Sequence, residues 1–169
     1  MDIVLVVLRL LHIVAAFAWV GLGAATAFYI VPAALASGES GLRYLNTVFT
    51  RTSYGPIFGV VGGLTVLAGI LLYLVGNAAS HFSTTGNIVL GIGAVAGLLA
   101  AGHGGATTGR ASRALGEALA QYKLDAGGTI PAAAVSTLQH QVTSLLSHSR
   151  VSLALMIIAL IGMGSARYL

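Results

Sequence analysis

The sequence predicts an all-α integral membrane protein: a four-helix bundle with both termini on the non-cytoplasmic side. Three observations predict it. The 169 residues are 57% hydrophobic and only 7% charged, whereas a soluble domain carries roughly 25% charged residues. Four apolar runs approach or exceed the ~20 residues that cross a bilayer. The few basic residues gather on one side of those runs. The length is that of a single domain, residues 1–169.

The first run extends from Ile3 to about Val31 and ends at Pro32. It lacks the basic start of a signal peptide and is longer than a signal h-region, so it reads as a retained span. Being longer than a crossing needs, it tilts or protrudes. The second run covers about Tyr54 to Val75 and the third about Asn87 to Ala106. The fourth covers Val151 to about Ala166, and its helix extends back to about Ala132. Val135, Leu138, Val142, Leu145 and Leu146 recur there at helical spacing, which makes that stretch amphipathic. Residues 112–131 form the most polar segment, expected to be the least ordered, with Gly127 and Gly128 breaking it.

Four spans put both termini on one side. Arg43, Arg51, Arg110, Arg113, Lys123 and Arg150 fall in or beside the two loops on the other side, and the loop at 76–86 has no Lys or Arg. The positive-inside rule places those basic loops in the cytoplasm, as in a multi-pass protein of a bacterial inner membrane. So small a basic excess reflects topology and gives no reason to expect a nucleic-acid partner. The lipid bilayer is the expected partner.

Cysteine is absent, which excludes disulfides, zinc-thiolate sites and thiol catalysis. Asp2, Glu39, Glu117 and Asp125, the four acidic residues, lie at ends or in loops, which argues against a carboxylate-based proton pump. No phosphate loop, nucleophile elbow or metalloprotease motif occurs. Glycine carries the pattern instead: Gly55, Gly59 and Gly63 step by four in the second run, and Gly62, Gly69 and Gly76 step by seven. Gly93, Gly97, Ala101 and Gly105 continue the four-residue step in the third. Such rows let helix backbones approach closely, within a bundle or across a homodimer face. They also suit a path for a flat ligand.

An ionisable group inside a span is the best pointer to function. His12 lies about ten residues into the first run, ~15 Å deep at helical rise. It shares a helix face with Ala16, Trp19 and Gly23, a potential ligand beside small neighbours and an aromatic wall. Arg9 stands one turn before it, placed to pair with a propionate. Haem b ligated by His12 is one reading. A histidine hydrogen-bonded to a neighbouring helix, with Arg9 snorkelling outward, is another; a different metal or a proton relay is a third. His103 and His148 approach each other near the cytoplasmic surface, and His103 is the candidate second metal ligand, ~10 Å from the level of His12. His140, Ser144 and His148 form a polar stripe, and His81 lies in the outer loop. Arg51 is either a headgroup anchor or an anion contact beside Tyr54.

The stretch LRLLHIVAAFAWVGLGAATAFYIVPA resembles the first helix of small bacterial membrane proteins related to the copper-resistance D (CopD) domain and to HemJ-type protoporphyrinogen oxidases. RYLNTVFTRTSYGPIFGVVGGLTVLAGILLYL is similar to their second span, through a basic residue before the span and Thr65, Gly69 and Tyr73. The likeness covers roughly residues 5 to 75. It implies His12 as a ligand position and Arg51 as the matching basic position. HemJ-type proteins are implicated in haem biosynthesis and CopD-type proteins in copper handling. This chain has only Met1, Met156 and Met163 and no Cys, which counts against copper(I) transport. It also has no lysine inside a span to act as a HemJ-like catalytic group.

The expectation is therefore a membrane haem-b protein with redox or haem-handling chemistry, in which Arg9, Trp19, Arg51, His103 and His148 accompany His12 at the cofactor. The alternatives are a transporter for a small solute or metal ion, and a non-catalytic membrane scaffold subunit.

Overall fold

The structure, a computed structural model, describes residues 3–75 and 82–169. Its elements are helical throughout, in the order α1 (Ile3–Ala25), α2 (Val31–Ala36), α3 (Gly38–Arg51), α4 (Tyr54–Val75), α5 (Thr85–His103), α6 (Gly109–Ala120) and α7 (Ala132–Ser165). Four helices are long and apolar enough to cross a membrane: Ile3–Ala36, Tyr54–Val75, Thr85–Ala120 and Ala132–Tyr168.

Two of these helices are longer than the apolar runs suggest, for the same local reason. A π-helical turn, Thr26–Ile30, joins α1 to α2, and a second, Gly104–Thr108, joins α5 to α6. In the first, the Val31 N–H reaches back five residues to the Thr26 carbonyl. Pro32 then falls at the start of α2, where its missing N–H breaks no bond that a helix interior needs. The helix passes Pro32 and ends before Gly38, whose φ of +58° suits glycine.

The polar loops on that side also fold. Residues 38–51, expected only as a basic loop, form α3, and the first part of the stretch expected to be least ordered belongs to α6. Both are amphipathic. Leu42 and Leu45 on α3 and Leu115 and Leu119 on α6 are almost wholly buried against Val31, Leu138, Val142 and Leu145. Each leucine so buried contributes about 1.5–3 kcal/mol. This cluster holds more buried apolar side chains than the one around Trp19 and Met156.

The spanning parts pack differently. Their outer faces expose Phe17, Val60, Ile92 and Ile161, as lipid-facing helices do. Inside, small residues let the antiparallel pairs close up. Between α5 and α7, a Cβ added to Gly162 would lie 3.0 Å from the Gly93 Cα. The α1–α4 and α5–α7 pairs are tight, whereas α4 and α5 barely touch. The bundle is thus two hairpins joined where α1, the π-helical turn after it and α2 meet α7 and where α3 meets α6, with a gap between α4 and α5.

Candidate functional site

The α1–α4 pair has a heptad register that positions the polar residues. His12 lies on Gly69, Trp19 on Gly62, and Thr26 shares a hydrogen bond with Tyr54. At each of the first two steps a ring fills the space a side chain on α4 would need: an added Cβ would sit 2.9 Å from His12 Cε1 and 3.0 Å from Trp19 Nε1.

His12 is half-buried, and its Nδ1 lies 2.8 Å from the carbonyl oxygen of Thr65. A carbonyl only accepts, so Nδ1 carries the proton and donates it; in the neutral imidazole Nε2 keeps its lone pair. Gly69 is six residues inside the end of α4 at Val75, which puts His12 ~9 Å from that end. Counting from the chain's start makes it deeper, because α1 begins beyond the level at which α4 ends. Arg9 is exposed.

His103 belongs to the opposite end of the spanning region. Gly23 packs on Met156, while Gly104, next to His103, packs near Ser152. One turn of α7 therefore separates the level of Gly23 from that of His103, and His12 is a further eleven residues away on α1. The two histidines stand on the order of 20 Å apart along the bundle at helical rise. They share no metal or haem, and the ~10 Å offset expected from the sequence is too small. Among the described residues, no group of three or more His, Cys, Asp or Glu side chains is placed to hold a metal ion.

His103 and His148 do approach, with ring centroids 5.8 Å apart. His103 Nδ1 lies 2.9 Å from Ser152 Oγ, which is 3.1 Å from Thr108 Oγ1. His140 is exposed, and His81 lies outside the described residues.

The gap between α4 and α5 is a cavity of about 1040 Å³. Its apolar end is formed by Trp19, Phe58, Val66, Leu67 and Met156. Toward α3 and α6 the lining becomes polar, with Thr26, Tyr54, Thr108, Ser149, Arg113 and Glu117. The four-residue glycine row of α4 forms one wall: Gly55, Gly59 and Gly63 are exposed, with no atom near an added Cβ. Those glycines face the cleft and leave its long side open toward the surroundings of the bundle.

Ser149 is the informative residue of the lining. It is 4% exposed, and its Oγ has no hydrogen-bond partner among the described residues. Leaving a hydroxyl buried without a partner costs about 1–3 kcal/mol. The sequence signal for it is faint: Ser149 and Ser152 interrupt the apolar start of the fourth span at helical spacing.

Of the expected site residues, Trp19 lines this cavity, whereas His12, Arg9, His103 and His148 do not. Arg51, at the end of α3, lines a smaller cavity with Lys123 and Asn46. Were a haem bound, His12 could hold it, because its Nδ1–H is engaged by the Thr65 carbonyl and Nε2 keeps its lone pair. The cavity between α4 and α5 offers no histidine. Comparison of the chain with protein-family models, curated proteins and solved structures finds no match.

Proposed function

We propose that the protein takes an amphiphilic molecule from the bilayer into the cleft between α4 and α5, to bind it or pass it on. One observation carries the reading: a cavity of about 1040 Å³ with an apolar end, a polar end and an open long side. Ligand sites for small molecules are concave, mostly apolar and provided with a few placed polar groups. Here the apolar end is set by Trp19 and the polar end by Tyr54, Ser149 and Thr108. An amphiphile entering sideways would keep its tail in apolar surroundings and bring its head to the hydroxyls. The basic residues of the loops favour a cytoplasmic position for that polar end, in an inner membrane with both termini outside.

Trp19 supplies the test, because it is the chain's single tryptophan and is 6% exposed. Lipids with brominated chains should quench its fluorescence saturably, at fractions where bulk contact with a buried ring cannot. Filling the cleft with Gly59→Leu and Gly63→Leu, positions with no neighbouring atom to clash, should abolish the saturable part. Quenching that rises linearly and ignores both substitutions would refute the reading.

A second reading, haem b held by His12, rests on that oriented imidazole. A haem bound there would supply one-electron redox chemistry. The chain's own part is to fix the ring through Thr65 and present Nε2. Purified protein with a Soret band lost in His12→Ala would support it; no band after addition of haemin would exclude it.

A further inference from the structure

Where α5 passes into its π-helical turn, His103 meets a serine of α7. Ser152 is 4% exposed and lines the cleft, and its Oγ lies 2.9 Å from His103 Nδ1. His103 does not itself line the cleft, so it backs the serine from within the protein. Thr107 Oγ1 donates its one proton to the His103 carbonyl at 2.6 Å. Toward the two ring nitrogens, each 3.3 Å away, that oxygen can therefore only accept. With the ring proton on Nε2, that nitrogen donates to Thr107 and Nδ1 accepts from the Ser152 hydroxyl. With the proton on Nδ1, Nε2 would face an oxygen that has no proton to give. The hydrogen bonds thus put the proton on Nε2 and leave Nδ1 as a base toward Ser152. A hydroxyl at about 2.6–3.2 Å from a base that a third group orients is the arrangement of an activated nucleophile.

Ser152 also borders open space. Gly104 lines the cleft, and a Cβ added to it would meet Ser152 Oγ at 3.8 Å and nothing nearer. The missing side chain leaves a window on the hydroxyl. Thr108, another cleft residue, brings Oγ1 to 3.1 Å from Ser152 Oγ. A second hydroxyl there can donate to an oxygen on which charge develops.

We propose that Ser152 is the nucleophile and His103 its general base in acyl transfer to water from an ester-bearing amphiphile. The inference rests on the cleft reading, since the acyl tail needs that cavity. Ser152 Oγ bonds to the ester carbonyl carbon as its proton passes to His103 Nδ1. The bond to the alcohol oxygen then breaks, and the alcohol leaves with the proton from Nδ1. Water adds to the acyl carbon and gives a proton to Nδ1. The bond to Ser152 Oγ breaks, Oγ recovers that proton, and a carboxylic acid departs. Thr108 donates to the oxyanion in both halves.

The test treats the full chain in detergent with a dodecyl fluorophosphonate, which loses fluoride to an activated serine, and with the p-nitrophenyl ester of a long-chain acid. Peptide mass spectrometry should find the phosphonyl adduct on Ser152, and the ester should be turned over. Ser152→Ala should lose both signals. His103→Gln should slow both by about a hundredfold or more, the share of a general base. Saturable quenching of Trp19 by brominated-chain lipid, kept in both variants, reports that the fold and cleft survive. Saturable quenching in the parent with no adduct on Ser152 would overturn the nucleophile and leave the cleft reading intact. Neither quenching nor adduct would defeat both. An adduct that forms as fast in His103→Gln as in the parent, or that forms without ester turnover, would also overturn the assignment.

Discussion

His12 and Gly69 are in direct contact: a Cβ placed on Gly69 would come within 2.9 Å of the imidazole Cε1. The neighbouring hydrogen bond, from His12 Nδ1–H to the Thr65 carbonyl at 2.8 Å, holds the ring in that position. A polar side chain in an apolar helix is thus part of the helix–helix joint, whatever else it binds.

Gly69→Val should weaken that joint. The ring cannot retreat without losing its bond to Thr65, so overpacking should cost about 1–3 kcal/mol. Thermal unfolding in detergent, followed by circular dichroism, measures this. An unchanged melting temperature would show that the α1–α4 contact is looser than described.

His12→Phe separates the bond from the packing. Phenylalanine keeps a ring against Gly69 but cannot donate to Thr65, and the expected loss is about 0.5–1.5 kcal/mol. His12→Ala removes the ring as well and should cost more. If the two variants melt together, the ring contributes nothing beyond its donor.

Leu119 tests the other core. It is fully buried among the leucines and valines of α2, α3 and α7. Leu119→Ala should destabilise by about 2–5 kcal/mol. Val60→Ala on the exposed face of α4 should change little by comparison. Equal effects from the two would contradict the placement of the main core between α3, α6 and α7.

The four spanning helices were legible because their signal is continuous: a long apolar run must hide its backbone polar groups in helices wherever water is absent. The extent of α1 was not, because Pro32 looks like a stop unless the π-helical turn before it is known. α3 and α6 were hidden for another reason. Their leucines are few and set among glycine, alanine and charged residues, and their burial depends on partners far along the chain, Leu138 and Val142. The glycine row of α4 was read as close packing or a ligand path, and periodicity cannot choose between them. The distances do: Gly62 and Gly69 take rings, while Gly55, Gly59 and Gly63 have nothing near them. Arg51 stood out in the sequence, but its company with Lys123 depends on the fold bringing α3 to the end of α6.

Ser149 offers the sharpest separation of stability from binding. Its hydroxyl is buried and has no partner among the described residues, so the fold bears a desolvation cost that no hydrogen bond there offsets. Ser149→Ala deletes one buried oxygen, leaving the Cβ and its contacts in place. The melting temperature should therefore stay level or rise. Affinity for a cleft ligand should fall, because the hydroxyl is the unspent donor at the polar end of the cavity. Losing one neutral hydrogen bond is worth about 0.5–1.5 kcal/mol, a roughly two- to tenfold weakening. A thermal melt and a titration of Trp19 quenching by a brominated-chain lipid, on Ser149→Ala and the parent side by side, read the two quantities. Lower stability with unchanged binding would mean that the hydroxyl serves the fold and not the ligand, and Ser149 would leave the site.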